Sequence, residues 1–141
     1  ISPEDLGQFN FSHKVQYAVS GQTFTVFLSP SAGGRLGENS STINSSSIWM
    51  SGTSLTKTQQ KVLTEAVIDF LTVCYPQRTA AQIGAIRRAG EKNWQSYQGM
   101  QTEQVGKLEF FWSGKDGFNI PGNEVQGWGV EWPVNQGRCV F

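Results

Sequence analysis

Glu109 and Glu131 come nearest to chemistry among the residues of this chain. Each falls on the outer face of an alternating run, "KLEFFWS" at 107–113 and "VQGWGVEW" at 125–132. With Phe110 opposite Val130, the two carboxylates face each other across adjacent strands, their Cβ atoms about 5 Å apart. Carboxylate pairs do the acid and base work of glycoside hydrolysis. With Phe110 opposite Trp128 instead, Lys107 meets Glu131 and Phe111 covers Gly127. That register replaces a like-charge repulsion with an ion pair, and local energetics favour it by under about 1 kcal/mol.

The other reactive side chains are few. His13 is the single histidine. With two cysteines it cannot complete the four-ligand set of a structural zinc site. It reads as a surface or strand-edge residue. Cys74 sits on an apolar helical stripe near a helix C-terminus, where the dipole disfavours a thiolate. A cysteine nucleophile is therefore a poor reading, and a Cys74–Cys139 disulfide a good one. Closing so long a loop is worth about 4 kcal/mol in the chain-entropy model. The chain contains no G-x-S-x-G, no H-E-x-x-H, no phosphate-binding loop and no dinucleotide fingerprint. No cofactor is expected.

Recognition is the alternative to catalysis. On the same outer face as the glutamates, alternation places Phe27, Phe111, Gly127 and Gly129 among polar residues. Glycine in a strand lets another backbone or a flat ring approach closely, and a modest apolar patch with a polar rim suits a partner. Trp49, Trp94 and Trp112 are the candidates for an exposed sugar platform. Trp128 and Trp132 share the face type of Leu108, Phe110, Val15, Tyr17, Phe24 and Val26, and so read as core under the helices.

The elements that must hold these residues are legible in outline. "KVQYAVSGQTFTVFLSP" gives two alternating runs about Ser20-Gly21-Gln22, a hairpin that Pro30 should end. Residues 31–47, "SAGGRLGENSSTINSSS", are of low complexity and read as a long mobile loop. Its Asn-x-Ser triplets match the glycosylation pattern but arise readily in Asn/Ser runs. "IWM" at 48–50 returns the chain to the core.

Thr56 and Gln59 form a capping box ahead of Leu63, Ala66, Val67, Phe70, Leu71 and Cys74, an apolar stripe that Pro76 stops. Thr79 and Gln82 form a second box, opening a looser stripe of Ile83, Ile86, Gly90, Trp94 and Tyr97. Gly84 and Gly90 each cost about 1 kcal/mol there, so that helix is expected to kink or break. Strands then return at 107–113 and 125–132, and "RCVF" reads as a terminal strand.

Strands at both ends and helices between them define an α+β fold. We expect a mainly antiparallel sheet of about four to five strands with two central helices packed on one face, in a single domain over 1–141. The 11 basic and 11 acidic residues cancel, which argues against nucleic acid, whose binding depends on a basic surface. The one basic cluster, Arg78, Arg87, Arg88 and Lys92, reads as a solvated helix face. No run reaches the 18 or so apolar residues of a membrane span.

A chain starting at Ile1 without Met or a leader reads as a mature or trimmed form. The low charge of 16%, the Ser/Asn/Gln-rich surface and the paired cysteines point to export, to periplasm or outside the cell. The expected function is an exported, non-enzymatic binding or interaction module acting through another protein. The alternatives are a small glycan hydrolase using Glu109 and Glu131, or a carbohydrate-binding module using exposed tryptophans.

Overall fold

A computed structural model describes residues 13–34, 36–52, 54–115, 118–120 and 123–140. The chain runs β1 (His13–Val19), β2 (Gln22–Ser31), β3 (Ser45–Ser51), α1 (Lys57–Cys74), α2 (Ala80–Gly90), a 3-10 turn (Trp94–Ser96), β4 (Met100–Val105), β5 (Leu108–Ser113), β6 (Phe118–Ile120) and β7 (Asn123–Glu131). All strand pairings are antiparallel. The sheet order is β1-β2-β3-β7-β5-β4, with the short β6 paired to β7. The fold is α+β as expected, with somewhat more strands.

Alternation decides which side of the sheet is covered. Val26 and Leu28 of β2, Ile48 and Met50 of β3, Leu108, Phe110 and Trp112 of β5, and Trp128 and Val130 of β7 form the inner face and are buried. They share one core with Leu63, Ala66, Val67, Phe70, Leu71 and Cys74 of α1 and with Ala85, Ile86 and Ala89 of α2. Both capping boxes are present, Thr56 with Gln59 and Thr79 with Gln82. Each box satisfies amide donors that the first helical turn leaves without a partner.

The second helix is shorter than its stripe suggests. It ends at Gly90, and Trp94 reaches the core from the 3-10 turn that follows. Gly90 permits the approach of the two helices, since a Cβ there would collide with the Thr64 side chain of α1. Trp94 stacks on Trp112 at 5.5 Å and meets Trp128 edge-on at 5.4 Å. Trp94 and Trp112 are therefore core residues and are excluded as exposed sugar platforms. Trp128 and Trp132 are buried as expected.

The stretch 31–47 is not loop throughout. β2 continues through Pro30 to Ser31, β3 starts at Ser45, and Ile43 and Asn44 are buried. Asn44 explains the difference. Its side chain accepts from Gly33 N at 2.9 Å and donates to the carbonyls of Gly33 and Trp132, each at 3.0 Å. A buried amide with its hydrogen bonds made ties the returning chain down beside the core residue Ile43.

"RCVF" differs too, because residues 132–140 form no strand. Their backbone is instead pinned by Ile43 N to Cys139 O and Arg138 N to Cys74 O, both 2.8 Å. Cys74 and Cys139 are disulfide-bonded, with Cα atoms 5.0 Å apart.

Candidate functional site

The helices cover one side of the sheet, and the candidate site lies on the other. Three cross-strand rows build its centre. The first runs Lys14, Phe27, Trp49 and Gly127; the second runs Ser29, Ser47, Gly129, Phe111 and Thr102; the third runs Ser31, Ser45, Glu131, Glu109 and Gln104. All four residues expected to bind, Phe27, Phe111, Gly127 and Gly129, thus lie on one face.

Their roles divide. Phe27 and Trp49 are half-buried and stack at 5.7 Å with an interplanar angle of 20°. The Lys14 ammonium lies 5.6 Å from the centre of the Phe27 ring. Gly127 and Gly129 are buried and present little surface of their own. A Cβ on Gly129 would enter the Phe111 ring, and one on Gly127 would meet the β3 backbone at Ile48 and Trp49. The glycines admit the chain's own ring and strand. The surface offered to a partner is that of the aromatic side chains above them.

Glu109 lies directly opposite Glu131, with Phe110 opposite Val130. The register with Lys107 facing Glu131, which local energetics favoured, is not adopted. Buried polar groups account for the choice. Gln126 donates to Gly114 O at 2.7 Å and accepts from Leu55 N at 3.1 Å; Ser113 Oγ accepts from Gly127 N at 2.9 Å. Sliding β5 by two residues would orphan these groups and part Trp112 from Trp128. Each orphaned group costs about 1 to 3 kcal/mol, more than one cross-strand charge pair returns.

Grooves flank the two glutamates. One, of about 300 Å³, is lined by Ser29, Ser31, Ser45 and Ser47 together with Phe111 and the glutamate pair. A second, of about 450 Å³, lies between the pair and the 34–44 segment, with Lys107 and Gln104 on its wall. Among the described residues, no cluster of three or more His, Cys, Asp or Glu side chains is placed to hold a metal ion. His13 opens β1 opposite Leu28, half-buried and away from the glutamates.

Trp49 and the four serines were not grouped with Phe27 and Phe111 from sequence. Their alternation in "FLSPS" and "SSSIWMS" is readable, but the β2–β3 register that aligns them depends on Asn44 and the intervening chain. No protein-family model matches the chain, and neither a curated protein nor a solved structure matches it.

Proposed function

We propose that this chain is an exported binding module, not an enzyme, and that its working surface is the uncovered sheet face, used against a partner protein. The half-exposed Phe27–Trp49 stack on that face carries the reading. Large aromatics held rigidly in a polar surround are the groups that dominate protein interfaces. Export is supported by the disulfide, which persists in oxidising compartments.

The glutamates are the feature on which a hydrolase reading would rest. Glycoside cleavage needs two carboxyl groups flanking the scissile bond. Glu109 and Glu131 are neighbours on adjacent strands of one surface. Both line the groove that also holds the serine hydroxyls and Phe111.

A second reading, a glycan ligand, is favoured by the groove whose lining combines serine hydroxyls, two carboxylates and the Phe111 ring. One experiment separates the two. Immobilised wild-type protein and the Phe27→Ala/Trp49→Ala variant are exposed to the exported fraction of the native host and to a glycan array. We expect a polypeptide retained by the wild type and lost by the variant. Array binding abolished by Glu109→Gln would establish the glycan reading instead. Equal retention by wild type and both variants would remove this face as the site.

A further inference from the structure

The opposite side of the molecule carries a second, unassigned site. A groove of about 400 Å³ lies between the first half of α1 and the chain leaving α2. Lys57 and Lys61, one helical turn apart, line one wall, and Arg87 and Lys92 line the other. Arg87 pairs with Glu65 at 2.7 Å. Beyond that pair, Lys57, Lys61 and Lys92 line the groove together with one further carboxylate, Glu91.

The groove is held open by buried contacts. Gln60 Nε2 donates to the carbonyls of Gly90 and Lys92, each at 2.6 Å, fixing the segment that carries Lys92 against α1. Gly90 packs on Thr64 with no room for a side chain. The Lys92 ammonium lies 5.9 Å from the Tyr97 ring centre and 6.0 Å from that of Trp112, at the edge of the groove. The Gln60 and Gly90 contacts fix the backbone of the two walls relative to each other. The volume falls in the range of small-ligand sites, about 300 to 1,000 Å³.

We infer that this groove binds a compact organic polyanion bearing two or three carboxylate or phosphate groups, independently of the uncovered sheet face. Three ammonium groups act as point charges and accept either anion without demanding bidentate geometry. Asn93, also in the lining, supplies a polar side chain for the body of such a ligand.

The test is calorimetric titration of the full chain with citrate and, separately, with inorganic pyrophosphate, at constant ionic strength near 0.15 M to hold screening fixed. Binding of either probe is expected, and the stronger one identifies the anion type. Lys61→Gln and Lys92→Gln should each weaken it about tenfold, the scale of losing one charge-assisted contact. Lys107→Gln, outside the groove, should leave it unchanged. Backbone amide shifts should move at 60–64 and 91–95 in the wild type. These exposed substitutions spare the core, so unchanged circular dichroism verifies folding. Absence of binding by both probes, or equal weakening by Lys107→Gln, would overturn the inference.

Discussion

Phe111 shows what a single residue decides here. Its ring lies where a Gly129 side chain would be. Gly129→Ala must displace it and should cost about 1 to 3 kcal/mol by overpacking. In a Phe111→Ala background the same change should cost far less, and urea denaturation of the four proteins would measure the coupling. Phe70, fully buried against Trp132, anchors the other side of the sheet. Phe70→Ala should lower stability by about 3 to 5 kcal/mol, and an unchanged denaturation midpoint would refute the core assignment.

Tyr17 is the residue with a built-in pH response. Its hydroxyl donates to Asp69 Oδ2 at 2.7 Å, joining β1 to α1. Burial first, then that hydrogen bond and the charges of Asp69 and Glu65, push its ionisation well above the usual tyrosine range. The folded state therefore holds the phenolic proton more tightly than the unfolded chain. The stabilisation is fully present below about pH 10, the unfolded tyrosine value, and is lost as pH rises beyond it. Tyr17→Phe should cost about 1 kcal/mol at neutral pH and flatten the alkaline fall above about pH 10. Parallel stability curves for the two proteins would contradict this.

At the scale of elements, helix starts and the disulfide carry separable shares of stability. Thr56→Ala and Thr79→Ala each break a capping box and should each cost about 1 kcal/mol. The two sites are far apart along the chain and share no hydrogen bond, so their effects should add. The disulfide holds a terminal segment that forms no strand of its own. Reduction should lower the melting temperature and release 133–140 first, read as early amide exchange there while α1 stays protected. Two thiols labelled in the unreduced, unfolded protein would deny the bond. Within 31–47, exchange should be fast from 36 to 40, which is exposed apart from the half-buried Ser40, and slow at Ile43 and Asn44, whose amides are bonded.

At the scale of the molecule, the sheet has a side under the helices that holds the fold and a side that no helix among the described residues covers. Substitutions divide accordingly. Those under the helices should move the melting temperature, while Phe27 and Trp49 should affect capture of a partner more than stability. The anion groove lies in the helix layer, so its variants should leave sheet-face binding unchanged. No helix among the described residues is long and apolar enough to cross a membrane.

Much of this arrangement was legible along the chain. Stripes at three- and four-residue spacing set both helices, and two Thr-x-x-Gln boxes set their starts, because helical contacts are local. Period-two alternation assigned Trp128 and Phe110 inward and Phe27 and Phe111 outward, because a strand's faces follow from its own residues. The cysteine pair followed from the count of two and from Cys74 lying on an apolar stripe, although the terminal strand expected to carry Cys139 does not form. Tertiary structure alone decided the rest. The Glu109–Glu131 pairing came from Gln126, Ser113 and Trp112, whose partners lie on other elements and outweigh a local charge preference. Asn44, polar in a run of polar residues, gave no sign that it would be buried. Alignment of Trp49 with Phe27 depended on the return of β3 beside β2. Single-chain periodicity specifies which face a residue takes. Which residues meet across that face is fixed by buried partners distant in sequence, whose combined energies exceed any one cross-strand term.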